Sequence, residues 1–163
     1  MYWKVIELKK TIIIFTLVFS LVFCLVGCGP QKLEFTDIAA LAGKGDEDVV
    51  ALLGEGDVQL IGDIMLAREY EFNTLGKKCT GSVLYKDDNV TQIALYFEDK
   101  NDTFSQLNVE LWNYYADPDS TVEGEDGSLN HIWITEENSA VALRKAIEGT
   151  VRVTVDASRK KAE

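Results

Sequence analysis

The first 31 residues constrain this chain most, because their apolar run belongs to a membrane or to a targeting signal. Lys4, Lys9 and Lys10 precede a segment, 11–31, that carries no charge and has a continuously apolar centre. A basic start, an apolar middle and an exit through small residues are typical of a secretory signal. Because the lysines precede the apolar run, we expect the rest of the chain to lie on the extracytoplasmic side of a membrane.

The end of this run is Leu25-Val26-Gly27-Cys28, which resembles the lipobox of bacterial lipoprotein signal peptides. The resemblance implies cleavage before Cys28 and lipidation of that cysteine, which anchors the protein in the membrane. Cys24 follows the bulky Phe23 and is a poorer acceptor, and Glu7 departs from the usual, purely basic start. The alternative is an uncleaved membrane helix, since about 20 apolar residues can span a bilayer.

The expected organisation is a signal peptide (1–27), a lipidated Cys28 with its tether (28–35), one domain (36–157) and a charged tail (158–163). Cleavage leaves 136 of 163 residues and removes three lysines and one glutamate, so the formal net charge changes from −11 to −13. Such acidity argues against nucleic acid as a partner. Only Cys79 then remains besides Cys28, which excludes internal disulfides. We expect Cys79 to be buried rather than an exposed thiol.

Helix caps and period-two alternation predict the first part of the domain. Thr36 is expected to cap a helix over 37–42 and Asp46 a helix over 47–53, each ended by a glycine. Antiparallel strands are predicted over 64–72, 79–86 and 90–98, the last two joined by the turn Asp87-Asp88-Asn89. Arg68 interrupts the apolar side of the first strand, and we place it near the sheet edge or with its charged end in water.

The second part of the domain is more ambiguous. Segment 104–115 fits a helix, with Thr103 and Gln106 as a capping box, but it also alternates like a strand; we favour the helix. Residues 116–128 are predicted to form a loop, 129–135 a strand and 150–156 a final strand. A helix is predicted from Asn138 or Ser139 to Glu148, either as a crossover or over an antiparallel pair.

Segment 37–97 carries short motifs that occur in this order: Gly45, Asp48-Val49, Leu52-Leu53-Gly54, Tyr70 and the hairpin 83–93. This order resembles the β-lactamase-inhibitor-protein-like modules, which include the small lipoprotein of the outer-membrane barrel-assembly machine. The family often has proline where Gly56 stands here. The resemblance implies an α+β fold with short helices packed on one face of an antiparallel sheet and the other face free to bind a protein. It implies no common enzymatic activity.

Neither a metal site nor a catalytic site is predicted. The loop carries five acids, but the calcium-loop pattern requires glycine at its sixth position, where Val122 stands; the five are Asp117, Asp119, Glu123, Glu125 and Asp126. His131 is expected to be a half-buried strand residue, since no nucleophile pattern surrounds any serine. No cofactor is expected.

Aromatic residues supply the binding candidates, because exposed aromatics anchor interfaces, although core packing explains such residues as well. Tyr70, Tyr85 and Tyr96 could also line one sheet face. The candidates are Trp112, Tyr114, Tyr115, Trp133 and Tyr70. We therefore expect a non-enzymatic, lipid-anchored binding module of the cell envelope with a protein or envelope partner. The alternative is a lipoprotein that binds a small molecule or a cation at the membrane surface.

Overall fold

The computed structural model describes residues 31–62, 64–124, 127–135, 139–145 and 149–157. The predicted signal peptide, the lipidated Cys28 and the charged tail lie outside the described residues. Within the described residues, no helix is both long and apolar enough to cross a membrane.

The described residues form one large, almost entirely antiparallel sheet with three short helices. The strands are β1 (Gln31–Lys32), β2 (Asp57–Ile61), β3 (Ile64–Thr74), β4 (Lys77–Lys86), β5 (Asn89–Glu98), β6 (Ser120–Glu123), β7 (Leu129–Ile134), β8 (Ala140–Lys145) and β9 (Thr150–Asp156). The helices are α1 (Phe35–Ala39), α2 (Asp46–Leu53) and α3 (Thr103–Tyr115). The fold is therefore mixed, with helices and a dominant antiparallel sheet.

Two meanders make up the sheet. The first is β3-β4-β5 and the second is β6-β7-β8-β9; they join where β9 pairs antiparallel with β5. At the outer edge, β3 pairs with β2 in an antiparallel manner and with the short β1 in a parallel manner. The predicted meander of three strands is thus confirmed. The predicted hairpin is confirmed as well, with Asp87 and Asp88 at φ 51° and 61°, the positive values that a tight two-residue hairpin turn requires.

Side chains alternate between two environments along the central strands. On β5, Ile93, Leu95 and Phe97 are buried, whereas Tyr96 is 39% exposed. On β4, Gly81 leaves room for a neighbouring ring, because a Cβ built there would lie 2.8 Å from Cε1 of Phe72. Cross-strand partners share a face of the sheet, so the buried residues of neighbouring strands form rows across it. One such row runs from β3 to β7 through Arg68, Val83, Ile93, Val155, Val141 and Trp133.

The ambiguous segment is the helix α3, as favoured. Phe104, Leu107 and Leu111 on one side of it are buried, and Tyr115 is half-buried. The predicted capping box is wrong. Asp102 occupies the N-cap without a side-chain capping bond, and the Gln106 amide donates instead to the carbonyl of Asn101 at 2.8 Å. The first two helices also begin one or two residues earlier than predicted, at Phe35 and Asp46, so neither Thr36 nor Asp46 is the cap.

The predicted helix near the C-terminus is wrong over its described part, 139–145. Alanine, leucine, arginine and lysine favour helices, but β8 pairs along its length with both β7 and β9. Val141 and Leu143 are fully buried in the sheet. Backbone pairing on both edges, together with this burial, overrides intrinsic helix propensity. The three strands follow one another antiparallel, so there is no crossover between β7 and β9.

Three strands, β1, β2 and β6, lie where no regular secondary structure was predicted. The edge strand β6 lies within the predicted loop 116–128, and β2 follows α2 directly. Both are wholly exposed, so neither carries the alternation that identifies a half-buried strand. The short β1 lies within the predicted tether, and Leu33 and Phe35 beyond it are buried. The fold therefore includes residues from Gln31 onward.

Candidate functional site

An open cleft lies where the C-terminal end of α3 meets α1 and the ends of β7 and β8. Its volume is about 870 Å³, and Trp112, Tyr114, Tyr115 and Trp133 are among the residues that line it. We call this feature the aromatic cleft. Four of the five binding candidates from the sequence therefore lie together, although they come from a helix and from a strand that follows 14 residues later.

Trp112 and Tyr114 present their rings to solvent at this cleft. Their side chains are 51% and 41% exposed. The indole Nε1 of Trp112 donates to Oδ1 of Asp117 at 3.0 Å, which fixes the orientation of a large apolar ring that is half in water. Burial raises the pKa of the Tyr114 hydroxyl, and the carboxylates of Glu34 and Glu110 act in the same direction.

Trp133 has a different role in the same cleft. Its side chain is 1% exposed, and its Nε1 donates to the carbonyl of Ala116 at 3.0 Å. This bond ties the end of α3 to β7 and satisfies the indole N–H, as a buried tryptophan requires. Trp133 therefore forms the floor of the cleft, whereas Trp112 stands at its opening.

Phe35 of α1 supports the tyrosines from below. Its ring centroid lies 6.0 Å from that of Tyr114 and 6.3 Å from that of Tyr115, the latter edge-to-face. Such offset contacts stabilise aromatic pairs beyond the area that they bury. Because Phe35 itself is 1% exposed, the tyrosines rest on the core rather than on a loop.

Polar groups border the cleft. Asn113, Asp119, Thr135 and Ser139 are among its lining residues. Asp119 accepts a hydrogen bond from the backbone N–H of Ile134 at 2.7 Å, so its carboxylate is held at the cleft by the strand β7. An apolar centre with a polar border is the usual composition of a recognition surface.

Tyr70, the fifth candidate, lies elsewhere. Its ring is 8% exposed and contacts Gly56, where a Cβ would lie 2.5 Å from Cε1 of that ring. Its hydroxyl donates to the carbonyl of Gly54 at 3.2 Å, and burial raises its pKa to about 12. The interpretation that Tyr70, Tyr85 and Tyr96 line one face is wrong, because Tyr70 and Tyr85 are buried while Tyr96 faces the opposite side.

Beside Tyr70 lies a partly buried ion pair that was not predicted from the sequence. Arg68 is 8% exposed, and its Nε and Nη2 each donate to a carboxylate oxygen of Asp46 at 2.7 Å. Nη1 of Arg68 donates further to the carbonyl of Glu55. The hydrogen bond from Arg68 lowers the pKa of Asp46. Arg68 does lie near the sheet edge, because β3 is next to β1 and β2. The alternative that its charged end lies in water is wrong, since its spacing from Tyr70 and Phe72 puts it on the buried side.

His131 is half-buried in β7, as predicted. Its Nδ1 lies 2.6 Å from Oδ1 of Asn108, its ring meets Phe104 edge-to-face at 5.3 Å, and burial lowers its pKa. Cys79 is buried, as predicted, and burial raises the pKa of its thiol to about 12. Within the described ranges, no three histidine, cysteine, aspartate or glutamate side chains are grouped to hold a metal ion; Glu125 and Asp126 lie outside those ranges.

Comparisons with known proteins add no relative. No family model matches the chain, and no curated protein and no solved structure matches it significantly. The lipobox and the resemblance to β-lactamase-inhibitor-protein-like modules therefore stay predictions from sequence.

Proposed function

We propose that this protein is a non-enzymatic, lipid-anchored binding module of the cell envelope that engages a protein partner through the aromatic cleft. The observation that carries the proposal is the pair of exposed rings, Trp112 and Tyr114, held in place over a buried floor. Aromatic side chains that are rigid and desolvated on contact supply most of the energy at protein interfaces. Rings that are already fixed lose little conformational freedom when a partner binds.

The proposed architecture has short helices packed on one face of the sheet, as the family resemblance implies. Two contacts support it. Arg68 binds Asp46 of α2, and Trp133 binds the end of α3. Because Arg68 and Trp133 belong to one row of cross-strand partners, both helices contact the same side of the sheet. The cleft then lies at one end of the helical layer.

The proposed anchor is the lipid on Cys28. The three lysines, the uncharged run and the small residue before Cys28 support it, and two acyl chains or more hold a protein stably at a membrane. Replacement of Cys28 with alanine tests this part alone. We expect the variant to leave the membrane fraction or to remain as an unprocessed precursor; a mature C28A protein still bound to membranes would contradict the anchor.

Site-specific photocrosslinking in intact cells tests the cleft. A photoreactive phenylalanine analogue at position 112 or 114 should yield discrete adducts with another protein, identified by mass spectrometry. Position 109 is the matched control, because Val109 lies on the same helix and is 57% exposed but does not line the cleft. Equal adducts at 109 and 112, or none at 112 and 114, would contradict a protein partner at the cleft.

The alternative function is the binding of a small molecule or a cation. The volume of the cleft favours the first, since pockets for small ligands span roughly 300–1,000 Å³. A calcium titration tests the second, because a ligand specific to the folded state must raise the melting temperature. An unchanged melting temperature would rule out the cation alternative. A rise in melting temperature with envelope metabolites, together with no crosslinks to protein, would support a small-molecule ligand and contradict a protein partner.

A further inference from the structure

Two arginines lie side by side on the sheet face opposite the buried row. Arg144 of β8 and Arg152 of β9 are direct cross-strand partners. Arg144 is exposed and Arg152 is half-buried. Their neighbours along the chain, Leu143 and Val153, are fully buried, so the alternation of the strands directs both arginines away from the aromatic cleft. We call the two residues the arginine pair.

The arginine pair stands out electrostatically. The chain has a formal net charge of −11, yet within the described ranges neither guanidinium has a carboxylate oxygen within 4.0 Å. Glu98 of β5, two residues from the Arg152 partner Tyr96, is paired with Lys100 at 2.6 Å. Like charges placed directly opposite each other on adjacent strands destabilise a sheet. Among the described residues, the repulsion within the pair is therefore not offset by a direct ion pair.

Polar groups continue the arginine pair on both sides. Tyr96 of β5 is the cross-strand partner of Arg152, and Asn130 of β7 is the partner of Arg144. Strands lie about 4.8 Å apart, so the row of four side chains spans about 14 Å. Its order is a hydroxyl, two guanidinium groups and an amide, all of which can donate hydrogen bonds.

We propose that the arginine pair is a binding site for a soluble, phosphate-bearing ligand. The two arginines are on neighbouring strands, so their planar guanidinium groups can converge on one ligand. Each can bind a phosphate oxygen pair in a bidentate manner, a geometry that lysine cannot reproduce. The row extends on both sides to Tyr96 and Asn130, which can contact the remainder of the ligand. A bilayer is the less suitable source of phosphate, because lipid-binding surfaces carry roughly four to eight basic residues and this chain is acidic.

Calorimetry with inorganic pyrophosphate tests this site on the purified full-length protein in detergent. We compare the wild type with R144Q/R152Q, with R144K/R152K and with K32Q/K86Q, which removes the same charge from exposed positions elsewhere. We expect binding to weaken at least tenfold in R144Q/R152Q and less in R144K/R152K, while K32Q/K86Q binds like the wild type. Absence of binding at millimolar pyrophosphate, or equal weakening in K32Q/K86Q, would overturn the proposal.

Two further measurements separate a binding role from other roles. Thermal unfolding of R144Q/R152Q should show a melting temperature that is unchanged or raised, since like-charge repulsion is removed; a marked fall would assign the arginines to packing and overturn the proposal. Sedimentation with vesicles of phosphatidylglycerol is the second. Retention of R144K/R152K and wild type on vesicles, without pyrophosphate binding, would assign the site to membranes instead. This site is independent of the aromatic cleft, so either proposal can fail alone.

Discussion

Arg68 of β3 and Trp133 of β7 lie towards opposite ends of one row of cross-strand partners, yet their surroundings differ. At the Arg68 end, the chain fills the space with its own groups: a bidentate carboxylate, a carbonyl and a tyrosine ring. At the Trp133 end, the space between the C-terminal end of α3 and the sheet is not filled, and an open cleft of about 870 Å³ remains.

This difference separates a structural use of unusual residues from a use in recognition. Each of the three nitrogens of the buried Arg68 guanidinium donates a hydrogen bond within the protein. This side chain therefore serves to hold α2 against the sheet rather than to bind a ligand. The exposed faces of Trp112 and Tyr114, by contrast, remain available for contact with a partner. We therefore expect substitutions of the Arg68–Asp46 pair to lower the free energy of unfolding, and substitutions at the opening of the cleft to leave it unchanged.

The largest effect is expected for Trp133→Ala at the floor of the cleft. Removal of a fully buried tryptophan costs about 4 kcal/mol, because contacts are lost and a cavity remains. Urea unfolding monitored by circular dichroism measures this loss. A loss of stability as small as that for Trp112→Ala would contradict the assignment of Trp133 to the buried floor of the cleft and of Trp112 to its opening.

The next largest effect is expected for Asp46→Asn at the other end. The substitution leaves Arg68 buried beside a neutral amide, which should lower the free energy of unfolding by about 2 kcal/mol. This is less than for a fully buried pair, because the Asp46 side chain is 30% exposed. Asp48→Asn is the matched control on the same helix and should cost no more than about 1 kcal/mol. Equal losses would mean that the ion pair does not fix α2.

The destabilisation caused by Asp46→Asn should depend on pH. The pKa of Asp46 is lowered from 3.8 in the folded protein, so its charge stabilises the fold above the unfolded value and this contribution is lost as pH falls through the folded value. The difference in unfolding free energy between the wild type and D46N should therefore be full near neutral pH and shrink below about pH 4. A constant difference across this range would contradict the role of the charge.

The smallest effect on stability is expected for Trp112→Ala. A half-exposed side chain contributes little to the core, so the change should lie within about 0.5 kcal/mol. In the crosslinking experiment, however, Trp112→Ala combined with the photoreactive residue at 114 should reduce adducts. Unreduced crosslinking together with a large loss of stability would show that Trp112 contributes to packing and not to binding.

Much of the sheet could be predicted from sequence because one side of it is buried. Strands β3, β4, β5, β7 and β9 alternate with period two, and all five lie where they were predicted to within two residues. Strand β8 was mistaken for a helix because Ala140, Val141, Ala142 and Leu143 are all apolar and show no clear period. Its identity depends on the two neighbours that pair with it, which local sequence does not encode.

The candidate site could be predicted only as a set of residue types. Their composition identified Trp112, Tyr114, Tyr115 and Trp133, but whether each ring lies at the floor or the opening depends on where α3 ends relative to β7. The Arg68 pair was missed because its partner, Asp46, is 22 residues away. The available signal was the position of Arg68 on the buried side of β3, where an unpaired charge would be untenable.

The aromatic cleft has one consequence for spectroscopy. The chain contains three tryptophans; Trp3 lies in the predicted signal peptide, and the other two both line the cleft. Once the predicted signal peptide is cleaved, indole emission therefore comes from this cleft alone, with a water-exposed emitter in Trp112 and a buried one in Trp133. An occupant should shift the first emission towards the blue and leave the second in place, so the native protein carries its own optical reporter of the proposed binding surface.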